Sequence, residues 1–385
     1  MAVTSHDPSS GPRAWAGARR VACVRVDGMG DVVMTGPAIR ALAASGPATR
    51  RITVVTSPAG AEAASMLPGV DEVMSVRAPW VAAGADAPLS ADAAMVEMLR
   101  DQRFDAAAIF TVSTQSALPA AMVCRLAGID LRLAHARENP YGLLTDWIPE
   151  PEPDRPTRHE VRRQLDLAAA VCDRFDGDDL RITVTAEHRT LVHRLLAKQR
   201  IDPDRLVVMH PGASAPSRRY PPEGFARAAD DLAVEGRQIV ITGARGDAPA
   251  VRATVEAMSS APAAVFQDLS VGEFASLLSS APVIVTNNTG PAHLAAAVGT
   301  PVVDLYALTN LQHAPWGVRH ALLFHDVPCR DCRRSLCPEG HHACLRGVPP
   351  EAIVDGVRKL SSGPRFDLQR ERSTAIASRS RGSVG

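Results

Sequence analysis

The sequence predicts an α/β protein made of two doubly wound, Rossmann-like domains. Short apolar runs typical of buried strands alternate with longer stretches of helical spacing, and this alternation occurs twice along the chain. Strands that alternate with helices form a parallel sheet that is covered on both faces. The length of 385 residues also suits two domains of ordinary size.

The first series of strands and helices lies within residues 20–180, which we assign to a first domain. Apolar runs predict strands at residues 21–26, 52–56, 70–76 and 104–110, and helices at residues 31–44, 116–126 and 159–172. Residues 139–158 hold five prolines and are predicted to be an irregular connection.

The second series lies within residues 181–348. Strands are predicted at residues 206–209, 238–242, 283–286 and 302–306, with helices that begin at Pro222 and Pro291. A C-terminal helix is expected at residues 349–361. Residues 1–19 and 362–385 are poor in apolar side chains, and we expect flexible tails there.

The charge balance argues against a nucleic-acid partner, because Lys+Arg and Asp+Glu are equal at 42 each and such proteins usually carry a basic excess. No apolar run reaches the roughly 18 residues of a spanning helix. The start of the chain also lacks the apolar segment of a secretory signal. We therefore expect a cytoplasmic protein with no transmembrane segment, which can still touch the inner face of a membrane.

Ligands of open α/β sheets bind beyond the carboxyl ends of the strands, so the loops after strands are of most interest. Gly28, Met29, Gly30 and Asp31 follow the first predicted strand. The glycines allow close backbone approach, but Val33 replaces the third glycine of a dinucleotide fingerprint. Asp31 can be a general base or a helix cap, and the residues alone favour the cap.

A second loop, H-P-G-A-S at residues 210–214, is followed by R-R-Y-P at residues 218–221. Backbone N–H groups, the hydroxyl of Ser214 and the guanidinium of Arg218 suit a pyrophosphate. A surface loop with solvated arginines is the alternative interpretation.

A third loop, N-N-T-G-P-A-H, occupies residues 287–293. Pro291 indicates the start of a helix, whose free N–H groups form an anion site to which Thr289 adds a hydroxyl. His293 falls in the first turn, where a histidine is more often structural than catalytic.

The three motifs together resemble glycosyltransferase family 9, the ADP-heptose:lipopolysaccharide heptosyltransferases of bacteria. They are D-G-M-G-D-V-V-x-T-x-P-A-I-R-A-L, H-P-G-A-S…R-R-Y-P and N-N-T-G-P-A-H-L-A-A-A-x-G-T-P, and the resemblance covers about residues 20–360. It implies the GT-B architecture, in which two Rossmann-like domains face each other across a cleft. The acceptor would bind the first domain and the nucleotide sugar mainly the second.

The resemblance also implies an activity: inverting transfer of a heptose-like sugar from a nucleotide sugar, typically ADP-heptose, with no cofactor required for catalysis. Asp31 matches the family's catalytic base. Arg218 matches a basic residue, usually lysine, that holds the diphosphate. Ser214, Thr289 and Gly290 match positions that contact phosphate.

Weaker matches complete the expected donor site. Asp247 is a candidate for the donor ribose, and Leu269 for packing on the base. Asn288 stands where the family often has an aspartate that contacts the donor sugar, so a different sugar is conceivable. His293 is grouped with the donor-binding residues, and residues 28–30 with the acceptor loop.

Four cysteines cluster as Cys329-x2-Cys332-x4-Cys337-x6-Cys344. Four thiolates suit a structural zinc ion. A set of reduced or partly disulfide-bonded cysteines is an equally weighted alternative, and an iron–sulfur cluster is less favoured. In a cytosolic protein such a cluster favours metal or redox chemistry over a disulfide scaffold.

Two other functions remain open. A nucleotide-sugar epimerase or hydrolase would need a second acid/base carboxylate, for which the sequence offers no convincing candidate. A non-catalytic sugar-nucleotide binding protein would have no use for Asp31. The acceptor is a lipopolysaccharide core sugar, another envelope glycan or a small metabolite, and the sequence does not choose among them.

Overall fold

The protein consists of two compact units, Met1–Thr183 and Val184–Gly385, called unit 1 and unit 2 below. The computed structural model describes residues 11–81, 89–151 and 158–362. Each unit holds one six-stranded parallel sheet with helices between the strands, so the predicted α/β class with two doubly wound domains is confirmed. The predicted division between residues 180 and 181 lies close to the one observed.

The sheet of unit 1 has the strand order β3-β2-β1-β4-β5-β6. Its strands are β1 Arg20–Arg25, β2 Arg51–Thr56, β3 Glu72–Ser75, β4 Ala106–Ile109, β5 Leu131–Ala136 and β6 Asp146–Pro149. Its helices are α1 Pro12–Gly17, α2 Met29–Ala44, α3 Pro58–Ser65, α4 Leu89–Asp101, α5 Leu118–Leu126 and α6 Glu160–Ala169. The central strand β1 pairs with β2 and β4, and its side chains are almost all buried because helices cover both faces.

The predicted flexible tail at residues 1–19 is wrong for residues 11–19, while residues 1–10 lie outside the described part of the chain. Helix α1 carries Trp15, which is 1% exposed. The Trp15 indole N–H donates to Asp146 Oδ2 at 2.9 Å, and the Trp15 carbonyl accepts a hydrogen bond from Arg50. A single large aromatic side chain thus docks a segment whose composition indicated a tail.

The predicted irregular connection at residues 139–158 is also partly wrong, because it contains β6, the edge strand of the first sheet. Prolines are tolerated at the edge of a sheet, which explains why Pro149 can end this strand. Residues 152–157 lie outside the described residues.

The sheet of unit 2 has the strand order β12-β11-β10-β7-β8-β9. Its strands are β7 Leu206–His210, β8 Gln238–Gly243, β9 Ala264–Gln267, β10 Val283–Asn287, β11 Val302–Leu305 and β12 His320–Leu323. Its helices are α7 Ala186–Lys198, α8 Pro222–Val234, α9 Ala248–Ala257, α10 Val271–Ser280, α11 Gly290–Val298, α12 Ala343–Arg346 and α13 Pro350–Ser361. Helix α13 occupies the position of the predicted C-terminal helix, and residues 363–385 of the predicted second tail lie outside the described residues.

The strand order reverses at one point in each sheet, between β1 and β4 in unit 1 and between β7 and β10 in unit 2. At such a point the loops after the two neighbouring strands leave in opposite directions and open a crevice at the carboxyl ends. The loops after β1, β7 and β10 are the three that carry the sequence motifs. The topology therefore puts each motif at the binding position of its own sheet.

Candidate functional site

Asp31 lies in the first turn of α2, at the point where the strand order of unit 1 reverses. Gly28 is the N-cap residue with extended backbone, and Met29 and Gly30 are the first two helical residues. Asp31 therefore does not cap the helix, and the interpretation that the residues alone favoured is wrong. Its carboxylate, 25% exposed, accepts a hydrogen bond from Arg25 at 3.0 Å. An ion-paired carboxylate open to solvent can take a proton from a bound hydroxyl.

Arg25 was not predicted as part of the site. It is the last residue of β1 and is fully buried, and its guanidinium lies 3.0–3.1 Å from carboxylate oxygens of Asp27, Asp31 and Glu160. Burial favours the neutral guanidine, yet the three carboxylates raise the pKa of Arg25 above its usual value. A buried cation of this kind needs such partners. The signal in the sequence is a lone charge in the apolar run V-A-C-V-R-V.

Asp27 is the second carboxylate of this loop. Burial raises the pKa of Asp27, and the negative charges of Asp31 and Glu160 add to the effect. The Arg25 cation and a 2.9 Å hydrogen bond from Gln115, in the loop after β4, oppose it. The loops after β1 and β4 are thus joined at the carboxyl edge of the first sheet.

In unit 2, Ser214 and Arg218 follow β7, and Arg218 ends a short 3-10 helix, Pro216–Arg218. Ser214 is exposed and Arg218 is partly buried. The Arg218 Nε atom is buried and has no hydrogen-bond partner among the described residues. A guanidinium with an unused donor beside an exposed hydroxyl can hold an anion.

Asn287, the last residue of β10, joins the loops after β7 and β10. Its side-chain amide donates to the Pro211 carbonyl at 2.9 Å, and its side-chain oxygen accepts from the Tyr220 N–H at 3.1 Å. Asn287 is fully buried. The sequence indicated this residue only as part of a motif, and its hydrogen bonds between the two loops were not predicted.

The third motif predicted an anion site at the N-terminus of α11, and the structure has a helix that begins there, at Gly290. Thr289 is the N-cap residue, and its side chain makes no capping hydrogen bond to the first turn. Thr289 and Gly290 are both partly exposed. Donors at a helix start favour a phosphate both directly and through the helix dipole.

Asn288 and His293 are more deeply placed than their expected donor contacts suggest, since each is 4% exposed. Asn288 Oδ1 accepts from the Ala307 N–H at 3.3 Å, which ties the loop after β10 to the end of β11. The His293 ring lies edge-on to that of His313, with centroids 6.5 Å apart. Both side chains are therefore engaged within unit 2, Asn288 with the end of β11 and His293 with His313.

Asp247 lies against the loop after β7, not apart from it. A Cβ atom on Gly212 would come within 2.1–2.5 Å of the Asp247 carboxylate, so only glycine permits this contact. Burial alone would raise the pKa of Asp247, but hydrogen bonds from His210 and the Ala244 N–H hold that pKa below its usual value.

Leu269 follows β9, the edge strand that β8 separates from β7. It is partly buried just before the N-cap Ser270 of α10. The structure therefore joins the loops after β7 and β10 and brings Asp247 to them, while Leu269 stands at the margin of the sheet.

Asp304 is a second residue that sequence reasoning missed. It lies in the middle of β11, is fully buried, and neither carboxyl oxygen has a hydrogen-bond partner among the described residues. Burial raises the pKa of Asp304 well above its usual value, and Arg218 partly opposes this. The buried Asp304 carboxyl group therefore lies close enough to Arg218 for the two groups to interact electrostatically.

The cysteine segment, residues 329–344, packs against the arginine loop, which consists of residues 214–219 after β7. One cavity is lined by the side chains of Cys329, Cys332, Cys337, Cys344, His341 and His342. All four cysteines are free thiols, and Cys329 Sγ lies 3.9 Å from His341 Nε2. Within the described ranges, no group of three or more His, Cys, Asp or Glu side chains is arranged to hold a metal ion. Ser217 joins the segment to the arginine loop, donating through Oγ to the Arg334 carbonyl at 2.8 Å.

Two doubly wound parallel units match the architecture of the two-domain GT-B glycosyltransferases. Residues 93–343, which span more than half of the chain, match the model of glycosyltransferase family 9 (heptosyltransferase). The chain therefore belongs to glycosyltransferase family 9, a family of transferase enzymes.

Curated relatives are heptosyltransferases. The chain is 26% identical over 280 residues to lipopolysaccharide heptosyltransferase 2 of Escherichia coli K12, covering 68% of this chain and 77% of the relative. Lipooligosaccharide heptosyltransferase 2 of Campylobacter jejuni is 32% identical over 80 residues, 20% of this chain. That match spans 25% of the Campylobacter relative.

Solved structures share the fold. A family 9 glycosyl transferase from Veillonella parvula superposes with a TM-score of 0.74 at 20% identity, covering 89% of this chain and 97% of the other. The E. coli ADP-heptose lps heptosyltransferase II gives 0.70 at 21% identity, covering 89% and 98%. In the part of the chain that the structure describes, no helix is both long and apolar enough to cross a membrane.

Proposed function

We propose that the chain is an inverting glycosyltransferase that moves a heptose-like sugar from a nucleotide sugar, in particular ADP-heptose, to an acceptor hydroxyl. The observation that carries this proposal is Asp31, a partly exposed carboxylate that is ion-paired to the buried Arg25 where the first sheet reverses. Membership in family 9 and the relatives named as heptosyltransferases support the choice of sugar.

In the proposed reaction, an Asp31 oxygen accepts the proton of the acceptor hydroxyl. The acceptor oxygen attacks the anomeric carbon of the donor sugar from the side opposite the diphosphate. The bond from the anomeric carbon to the diphosphate oxygen breaks, so the configuration inverts and ADP leaves. A positioned general base of this kind contributes about 10²- to 10⁴-fold to turnover.

The leaving diphosphate gains negative charge as its bond breaks. We propose that Arg218, the Ser214 hydroxyl, Thr289 and the N–H groups at Gly290 stabilise that charge. Preorganised donors aimed at developing charge are among the largest contributions to catalysis. No metal ion has a role in this step.

The remaining assignments are also proposals. Asp247 would contact the donor ribose, Leu269 the base, and Asn288 and His293 the sugar side of the donor pocket. The acceptor is a glycan or a small molecule that binds unit 1 near residues 28–30. A cytoplasmic enzyme in peripheral contact with the inner membrane would reach a lipopolysaccharide acceptor.

The first test is a calorimetric titration and thermal-shift series with ADP, UDP, GDP and their sugar nucleotides. We expect selective binding and stabilisation by ADP and ADP-heptose, because binding to the native state alone raises its stability. A preference for UDP or GDP would overturn the donor assignment. A protein that binds none of the nucleotides would contradict the whole proposal.

The second test measures transfer itself. ADP-heptose is incubated with lipopolysaccharide from an E. coli strain that lacks heptosyltransferase 2, with a monosaccharide, or with water alone. We expect ADP release and a mass increase of one heptose on a glycan acceptor. Release of ADP with water alone, without sugar on any acceptor, would instead indicate the hydrolase alternative.

We further propose that the cysteine segment binds one structural zinc ion. The support is that four free thiols and two imidazoles line one cavity, and thiolates and imidazoles are the ligands zinc prefers. Elemental analysis of protein purified without chelator should find about one zinc per chain, and Cys332→Ser should remove it. Metal-free protein with unchanged thermal stability would contradict this proposal.

A further inference from the structure

Arg25 holds Asp31 in an unusual way, because the same guanidinium binds three carboxylates. Its Nε lies 3.1 Å from Asp27 Oδ2, and its Nη2 lies 3.0 Å from Asp31 Oδ1 and 3.1 Å from Glu160 Oε1. Arg25 and Glu160 are fully buried, whereas the Asp31 side chain is 25% exposed. The network therefore runs from the core outwards and ends at Asp31, which is more exposed than Asp27 at 10%.

Glu160 is the inner anchor of this network. It is the first residue of α6 and lies 135 positions from Arg25 in the chain. The Gln164 amide donates to Glu160 Oε1 at 2.6 Å and to the Thr111 carbonyl at 2.9 Å. Arg25 is thus held from behind by a side chain that is itself fixed to the loop after β4. Its guanidinium cannot turn away from Asp31 without leaving buried charges unpaired.

Three carboxylates lie within 3.1 Å of the single Arg25 guanidinium, so the immediate surroundings of Arg25 carry excess negative charge. Arg163 lies 3.8 Å from Glu160 but forms its closer ion pair, at 2.5 Å, with Glu150. The charged side chains that contact Arg25 are Asp27, Asp31 and Glu160, and Glu160 in turn lies next to a further ion-paired group made of Arg163, Glu150 and Arg158. Protonation of Asp31 would leave Arg25 paired with Asp27 and Glu160. The buried Arg25 cation therefore keeps anionic partners when Asp31 is neutral.

We propose that Arg25, anchored by Glu160, is a positioning residue for Asp31: it fixes the direction of the carboxylate and keeps it ionised until an acceptor hydroxyl gives up its proton. This inference rests on the proposed function, in which Asp31 is the base. The proton goes from the acceptor oxygen to an Asp31 oxygen and later to solvent, which reaches Asp31. Asp27 and Glu160 compensate the charge of Arg25 during that interval.

Substitutions can separate the effect of the Arg25 charge on Asp31 from its effect on the orientation of the Asp31 carboxylate. Arg25→Met removes both, so the acidic limb of the pH profile of kcat/KM should move to higher pH, and turnover should fall about 10²-fold, as for other misplaced catalytic groups. Arg25→Lys keeps the charge but loses the planar fork, so turnover should fall while the limb stays close to that of the wild type. Glu160→Gln loosens the anchor and removes a negative charge, so turnover should fall and the limb should not move to higher pH.

The control is Arg50→Met, which removes another buried arginine of unit 1 whose guanidinium donates to the backbone carbonyls of Ala18 and Leu42. It should lower the thermal midpoint without moving the pH profile. ADP affinity should stay unchanged in every variant, because the donor residues belong to unit 2.

The assay uses ADP-heptose and lipopolysaccharide from the strain without heptosyltransferase 2. A folded Arg25→Met protein with the wild-type acidic limb would overturn the positioning role. If that variant does not fold, wild-type turnover in Glu160→Gln would overturn it.

The variant Asp31→Asn distinguishes a failure of the positioning role of Arg25 from a failure of the proposed function. Full turnover in Asp31→Asn removes the base assignment itself, whatever Arg25 does. If the wild-type protein transfers no sugar, the proposed function fails. A ¹³C carboxyl titration of Asp31 then tests the coupling without activity, because the titration should move to higher pH in Arg25→Met and to lower pH in Glu160→Gln than in the wild type. An Asp31 titration that neither variant changes would overturn the inference in that case.

Discussion

The two units have the same sheet topology but present opposite chemistry where their strand order reverses. In unit 1, the loop after β1 brings Asp27 and Asp31 to one buried arginine, so carboxylates dominate. In unit 2, the loops after β7 and β10 present Arg218 and the open N–H groups at the start of α11. A fold thus supplies the position of a site, while a few side chains decide whether it takes up a proton or holds an anion.

Two acidic side chains of unit 2, Asp304 and Asp247, sharpen this contrast, because their surroundings differ from those of Asp31. Asp304 is fully buried with a raised pKa, and Asp247 is held by His210 and a backbone N–H. Asp31 differs in being ion-paired to a buried arginine, whereas the nearest partner of Asp247 is a histidine. Carboxylates in similar places along similar sheets therefore have different roles, which burial and partners determine.

The largest expected effect is that of Asp31→Ala. Turnover should fall by about 10²- to 10⁴-fold, the usual contribution of a positioned general base. ADP binding should persist, since the donor groups are in unit 2. Steady-state kinetics with calorimetry on the same preparation measures both quantities.

Asp71→Ala is a matched control for Asp31→Ala. Asp71 is a partly exposed carboxylate of unit 1 that pairs with Arg51 at 2.7 Å, away from the loop after β1. Turnover in that variant should stay near the wild-type value. Equal turnover in Asp31→Ala and Asp71→Ala would contradict the assignment of the base to unit 1, and with it the contrast between the two units.

Arg218→Ala should have the next largest effect. A hydrogen bond to a charged group is worth about 1.5–3 kcal/mol, so ADP affinity should fall by about 10- to 100-fold and turnover should fall with it. Arg219→Ala is the control, because the neighbouring Arg219 Nε donates to the Ala213 carbonyl. An unchanged donor KM in Arg218→Ala would argue against its role at the diphosphate.

The fold class was predictable because alternating strands and helices leave a periodic signal, and the site loops were predictable because topology confines them to strand ends. The carboxylate partners of Arg25 were not predictable from the sequence. A lone arginine in an apolar strand signals a buried counter-charge, but no local pattern indicates that Glu160 supplies it. The same holds for Asp304 in the apolar run V-V-D-L-Y.

The prediction of a flexible tail at the start of the chain was wrong for a related reason. Its Pro, Gly and Ser content indicated a tail, yet the fold docks α1 through Trp15 and Asp146, which are 131 positions apart. Local composition reports how much apolar surface a segment has, not whether one large side chain finds a pocket. The role of Asp247 beside Gly212 was equally hidden, since it depends on two loops meeting at the end of neighbouring strands.

The smallest expected effect is that of Asp247→Asn, which tests whether the carboxylate of unit 2 is structural. Its pKa is lowered in the folded protein, so it contributes stability that is fully present above the unfolded-state pKa of about 3.9 and is lost as the pH falls through the folded value. At pH 7 the variant should be less stable by up to about 1 kcal/mol, and the difference should vanish in acid. Urea unfolding between neutral and acidic pH measures this, with the exposed Asp268→Asn, expected to change little, as the control. If Asp247→Asn is as stable as the wild type at every pH but binds ADP more weakly, the carboxylate serves the donor ribose and not the loop, and unit 2 would then also use a carboxylate on its ligand.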